Sequence, residues 1–145
     1  MLRYSFLPSD FHPMLLILGD PHELRALGQA LRQFAGSASS FAFSDLTVAA
    51  PSDTTVVVTH EQDAAKLGMH PISLGGKRFG WSLAPYTAHV FAEIIDEITA
   101  PEERSGSEML LCSGQEIPVK ISFGEFTDDF LISGQQHSTA RLQLS

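Results

Sequence analysis

The chain has 145 residues, 43% of them hydrophobic and 18% charged. That length suits one compact domain, able to bury roughly 68–70% of its unfolded surface, and that composition excludes a disordered chain. The net charge is −8, and residues 93–129 carry all of it, with ten acidic residues against Arg104 and Lys120, while the remaining seven acidic and seven basic residues cancel.

In chain order, Met1–Leu7 alternates loosely and predicts a strand, followed by the turn Pro8–Pro13. Met14–Leu18 is an apolar run of five residues, read as a buried strand and far short of the ~20 a membrane helix needs. Asp20-Pro21-His22-Glu23 is a helix start: Asp20 caps the first turn, Pro21 occupies the first helical position, and Glu23 reaches back to complete a capping box. Leu24, Leu27, Leu31 and Phe34 then form one apolar face, and Gly36 marks a stop. Phe41–Ala49 and Thr54–Thr59 read as strands joined across Pro51-Ser52-Asp53.

The stretch from His60 to Arg78 reads as a join, with a helical turn in Gln62–Leu67 and a hairpin pairing Ile72–Leu74 with Phe79–Leu83 around Gly75-Gly76-Lys77. Pro85 opens a second helix running to about Thr99; its cap position holds Ala84, a weak cap, so this helix depends on packing. Glu102–Ser107 is a polar loop, and Met109–Cys112 and Pro118–Phe123 are strands. Glu125–Ile132 is acidic and aromatic, and the tail from 133 to 145 is polar.

Two stretches of the chain match each other at an offset of 64. Pro21 falls on Pro85, Leu24 on Ala88, Leu27 on Phe91, Leu31 on Ile95, Phe34 on Ile98, and Leu15 and Ile17 on Phe79 and Trp81. Val56 and Val58 match Val119 and Ile121 at an offset of 63. An internal repeat decides the architecture. The expected fold is α+β: two strand–helix–strand–strand repeats, over about 14–60 and 79–124, sharing one mainly antiparallel sheet with both helices on one face. Met14–Leu18 and Val56–Val58 are apolar on both faces, which helices on one side cannot cover. The N-terminal segment, the C-terminal tail or a second subunit must cover the other. A homodimer with Leu16 and Val57 on its face is the expectation, and a monomer wrapped by its own termini is the competing one.

Catalytic, cofactor and metal motifs are not recognisable, so no catalytic residue, cofactor or metal is expected. Cys112 is the only cysteine and has Glu108 and Glu116 nearby in sequence, which disfavours a reactive thiolate. None of the six histidines stands in an H-E-x-x-H arrangement. His60-Glu61-Gln62-Asp63 groups three possible ligands, and a solvated turn explains it as well. Gly75-Gly76-Lys77 precedes Arg78 and a strand, where a phosphate-binding loop needs Ser or Thr and a helix. A groove between the repeats, lined by Trp81, Tyr86 and His89, is the place where a small-ligand or enzymatic site is expected if there is one. With no signal-peptide pattern and a lone cysteine, the expected compartment is the cytoplasm.

The segments FGWSLAPYTAHVF (Phe79–Phe91) and ISFGEFTDDF (Ile121–Phe130) resemble small bacterial proteins without assigned activity. The segment ILGDPHELRALGQAL is similar to a G-D-x-x-x-L-x-x-L-x-x-x-L pattern of predicted immunity proteins of bacterial toxin systems. Those proteins have a histidine before the strand that follows the helix, where this chain has Ser107-Glu108. The resemblance implies a bacterial origin and a non-enzymatic binding role.

The acidic field repels nucleic-acid phosphates and suits a basic protein, or serves solubility alone. The expected surface comprises Asp96, Glu97, Glu125, Phe126, Asp128 and Asp129, in which aromatic anchors sit within an acidic rim. Neither nucleic acid nor membrane is expected as a partner. A purely structural homo-oligomer is the remaining reading.

Overall fold

The computed structural model describes residues 1–8, 13–72, 77–112 and 116–124. The expectations for Gly75-Gly76, for Glu125, Phe126, Asp128 and Asp129, and for the tail lie outside the described residues.

The described elements follow the order β1 (Arg3–Leu7), β2 (Met14–Leu18), α1 (Pro21–Ser37), β3 (Phe41–Ala42), β4 (Thr55–His60), β5 (Gly68–Pro71), β6 (Arg78–Leu83), α2 (Pro85–Ile98), β7 (Gly106–Leu110) and β8 (Val119–Phe123). The fold class is α+β, as expected. The strands, however, form two sheets rather than one. Sheet 1 has the order β1-β2-β8-β7 and sheet 2 the order β3-β4-β6-β5.

Both sheets are mixed, and they share one pattern. A parallel central pair (β2 with β8, β4 with β6) is flanked on each side by an antiparallel edge strand. The residues between 41 and 83 build sheet 2, whereas sheet 1 brings 3–18 together with 106–123. Each helix carries the chain from one sheet to the other. The physical reason a single sheet was expected is simple: alternation shows that a segment is a strand, but not which strand it pairs with.

Helix α1 starts where the sequence places it. The Asp20 carboxylate accepts from the Glu23 amide at 2.8 Å, and the Glu23 carboxylate accepts from the Asp20 amide at 3.0 Å. The helix ends at Ala38, which takes a left-handed φ of 58° and donates its amide to the Phe34 carbonyl at 2.7 Å. Helix α2 has no side-chain cap at Ala84. Its far end is held instead: Thr99 Oγ1 donates to the Ile95 carbonyl at 2.7 Å, and Arg25 of α1 donates to the Thr99 carbonyl at 2.9 Å.

One core joins both sheets and both helices. Leu24, Leu27, Leu31 and Phe34 from α1 meet Ala88, Phe91, Ala92 and Ile95 from α2 in it. Leu15, Ile17, Val119 and Ile121 enter from sheet 1, and Val56, Val58, Phe79 and Trp81 from sheet 2. Burying each large apolar side chain contributes about 1.5–3 kcal/mol. Gly28 lies where α1 approaches Ile95 and Ala92 of α2.

Several local readings shift. Only Phe41–Ala42 of the expected strand 41–49 pairs with β4; Phe43–Asp45 turns into a 3-10 helix, because the Asp45 carboxylate accepts from the Ala42 amide at 2.9 Å and closes the chain on itself. The partner of β6 is Gly68–Pro71, upstream of the expected Ile72–Leu74. The strand expected at Met109–Cys112 begins earlier, at Gly106, so part of the expected loop belongs to β7.

Candidate functional site

Helix α2 separates its residues cleanly. Ala88, Phe91, Ala92 and Ile95 are buried, while Tyr86, His89, Glu93, Asp96 and Glu97 stand exposed. The turn after it exposes Glu102, Glu103 and Arg104, and β7 exposes Glu108. These six exposed carboxylates follow the chain, as an acidic ridge, from the second half of α2 through the next turn to the edge strand β7. Arg104 is the only basic residue between positions 93 and 112.

Two of the carboxylates are engaged. The Arg32 guanidinium of α1 lies 2.6 Å from the Asp96 carboxylate, and His89 Nε2 lies 2.9 Å from the Glu93 carboxylate one turn on. Glu97, Glu102 and Glu103 extend the ridge beyond both contacts. β7 is an edge strand, and Met109, which pairs with Lys120 on the side of sheet 1 turned away from the helices, is exposed, as is Leu111 just past the strand's end. Of the expected partner-binding residues, Asp96 and Glu97 therefore share one exposed face. Glu93, Glu102, Glu103 and Glu108 belong with them. The i, i+4 spacing of Glu93 and Glu97, opposite the apolar stripe of α2, is the sequence signal for that face.

The expected groove is not assembled. Trp81 is 1% exposed and stacks on Phe91 with centroids 5.6 Å apart, with Phe43 edge-on at 6.0 Å. Tyr86 is 79% exposed, and His89 points to solvent from the outer face of α2. The three do not converge, because Trp81 alternates with Gly80 and Ser82 toward the core, while Tyr86 and His89 lie on the face of α2 turned away from it.

Leu16 and Val57 do not share a surface either. Leu16 is buried on the outer side of sheet 1, and Val57 is half-buried on the outer side of sheet 2. Their segments look alike, but they belong to different sheets.

A surface pocket of about 440 Å³ opens beside Tyr4, Ser44, Ser52, Thr54 and Val56. Its described lining offers the hydroxyls of Tyr4, Ser44, Ser52, Thr54 and Thr55 but no Asp, Glu, His, Lys, Arg or Cys side chain to activate them. A second pocket, of about 290 Å³, lies between the end of α1 and the 3-10 turn, and its one carboxylate, Asp45, is engaged with the Ala42 amide.

The remaining chemical candidates are accounted for. Burial pushes the Cys112 thiol up to about 12, helped by the charge of Glu116, so the thiol stays protonated at neutral pH. The Glu116 carboxylate accepts from the Cys112 amide and packs against Gly68. In the 60–63 turn, Glu61 accepts from the amides of Gln62 and Asp63 at 3.1 Å, and Asp63 accepts from Ala65 at 3.0 Å. Among the described residues, no three His, Cys, Asp or Glu side chains gather as a metal site, and no helix is long and apolar enough to cross a membrane.

Comparison with protein-family models, with curated proteins and with solved structures finds no match to this chain.

Proposed function

We propose that this chain is a non-enzymatic protein-interaction module that binds a basic partner through the acidic ridge of α2, the 102–103 turn and β7, in the manner of an immunity-type protein. The observation that supports it is the exposed run of six carboxylates with one basic residue in the same stretch. Complementary charge speeds encounter and rejects acidic competitors. Exposed Met109 and Leu111, on and just past the edge strand that carries Glu108, offer apolar contact for a complex. The mechanism is occlusion: the partner's basic surface is covered and withheld from its own substrate.

The test is capture of partners from the source lysate by the intact protein, eluted with rising salt. A quadruple Gln variant at Glu93, Glu97, Glu102 and Glu103 serves as the comparison. A basic protein retained by the wild type and lost by the variant supports the reading. Equal retention and equal salt dependence would reject it.

The architecture supports a duplication as the origin of the fold. The strand and helix positions recur at the offset of 64, and each sheet joins a hairpin from one half to a hairpin from the other. A second reading, a homodimer through sheet 2, has one observation in its favour. Val57 pairs with Gly80 on the outer side of that sheet, and Ile72, 54% exposed, lies against Gly80. Val57→Lys would then convert a dimer into a monomer by sedimentation, and an unchanged mass would exclude this face.

A further inference from the structure

Among the described residues, four strands lie at the edges of the two sheets: β1 and β7 in sheet 1, β3 and β5 in sheet 2. Three of them are closed by the chain itself. Beside β1, the Leu2 amide donates to the Val48 carbonyl at 2.7 Å, and the Leu2 carbonyl accepts from the Ala50 amide at 2.8 Å. The Tyr4 carbonyl accepts from Ser52 Oγ at 3.1 Å. In β5, the Met69 carbonyl accepts from the Ile117 amide at 2.9 Å, and Pro71 has no amide hydrogen. β3 is two residues long, and the Asp45 carboxylate takes its Ala42 amide. Edges closed in this way do not recruit foreign strands.

β7 is the edge left open among the described residues. The amides of Leu15 and Gly19, in and just past β2, donate to the Pro118 and Ser122 carbonyls. Backbone groups alternate from side to side along a strand, so Val119, Ile121 and Phe123 turn theirs to β7, toward Leu110, Glu108 and Gly106. Ser107 and Met109 then turn their amides and carbonyls outward. The Met109 amide agrees, since it donates to the adjacent Glu108 carboxylate at 3.2 Å. The Ser107 amide and carbonyl and the Met109 carbonyl have no hydrogen-bond partner among the described residues.

The two faces of this edge differ in chemistry. Glu108 pairs with Ile121, which joins the main core, so the exposed Glu108 projects from the helix side of the sheet. On that side Ile98, at the end of α2, lies against Gly106. Met109 is exposed on the opposite side, where it pairs with Lys120. A strand laid beside β7 puts alternate side chains on these two faces. A cation suits the face of Glu108, and an apolar group suits the face of Met109. A second copy does not fit, because β7 laid against β7 brings two Glu108 carboxylates to one seam with no cation in either strand.

We infer that β7 is a strand-addition site for an extended segment of another protein in which basic residues alternate with apolar ones. The occupant rests on the basic-partner reading and gives that partner a shape. Main-chain bonds to Ser107 and Met109 supply affinity, and the alternating side chains supply selectivity.

The experiment is titration of the full-length, isotope-labelled protein with a synthetic peptide alternating lysine and valine, followed by amide resonances and hydrogen exchange. The Ser107 and Met109 amides should move most and become protected. Met109→Pro removes an outward amide and spares the ladder to β8. It should weaken binding by about tenfold or more, while the Val119 and Phe123 amides keep their protection. Glu108→Lys, at an exposed position, should transfer the preference to a peptide alternating glutamate and valine. Binding that leaves Ser107 and Met109 unmoved and survives Met109→Pro would overturn strand addition and leave the α2 ridge as the binding element. Failure of the lysine peptide to bind at millimolar concentration would overturn it too. So would a doubled mass of the free protein that Met109→Pro halves, which would name a second copy as the occupant. Binding lost in Met109→Pro but kept in the quadruple Gln variant would support the strand site and reject the ridge.

Discussion

Arg32 of α1 and Asp96 of α2 meet at 2.6 Å, and they stand 64 positions apart, the same offset that separates Pro21 from Pro85. The two helices therefore touch through corresponding positions. An acidic residue on one helix is matched by a basic residue on the other. This contact offsets one charge of the ridge that the partner reading depends on; the buried stripe of Ala88, Phe91, Ala92 and Ile95 orients α2.

The Arg32–Asp96 pair contributes little to stability. Both side chains are partly exposed, at 33% and 45%, so solvent screens the attraction. A double-mutant cycle with Arg32→Ala and Asp96→Ala, read by urea unfolding, should give a coupling of about 0.2–1 kcal/mol. The coupling should shrink as salt rises.

The start of α1 matters more. Asp20→Ala removes the side-chain half of the capping box, the bond from the Glu23 amide, and should cost ~1 kcal/mol, or roughly 2–4 °C in Tm. The box is also pH-sensitive through Glu23. Burial alone would raise the Glu23 carboxyl, but the hydrogen bonds and charge of the Met1 amine, the Asp20 amide and the charge of Arg3 outweigh it and hold it below its ordinary value. A carboxyl lowered in the fold adds stability that is present above its unfolded value and lost as pH falls through the folded one. Thermal melts should show the wild type losing its advantage over Glu23→Gln as pH drops below about 4.

Two glycines should respond in opposite directions. Gly68 has a φ of 117°, and a Cβ there would collide with the Glu116 side chain. Gly68→Ala should destabilise by about 1–3 kcal/mol. Gly36 lies exposed near the end of α1 with nothing within 4 Å of an added Cβ. Gly36→Ala should stabilise by up to ~1 kcal/mol, as measured by chemical unfolding.

Cys112 should be inert in the folded protein. With its thiol pushed up to about 12, its thiolate fraction at pH 8 lies about three decades below that of an ordinary cysteine. Alkylation should therefore be slow in buffer and fast in denaturant, and mass spectrometry would follow both. Because unfolding restores the ordinary thiol value, the protein should also lose stability as pH rises above about 8.5.

Local structure was readable because its causes are local. The cap at Asp20, the apolar stripe from Leu24 to Phe34 and the alternation of Val119, Ile121 and Phe123 each involve neighbours within a few residues, and each stands where the sequence places it. The acidic ridge was partly readable, since Asp96 and Glu97 were singled out, while Glu93 and Glu108 needed the exposed face to be seen whole. The groove was not readable. Trp81 and Tyr86 are five positions apart, yet a strand sends one inward and a helix sends the other outward.

By itself, then, the sequence determined the two helices, the central strands β2, β4, β6 and β8, the fold class and the sign of the net charge, because helix and strand periods and charge counts belong to the chain alone. Only the tertiary structure decided that β2 joins β8 and β4 joins β6, which splits the strands into two sheets and puts Leu16 and Val57 on separate surfaces. Parallel pairing joins residues about a hundred positions apart in sheet 1, and no local pattern carries that information.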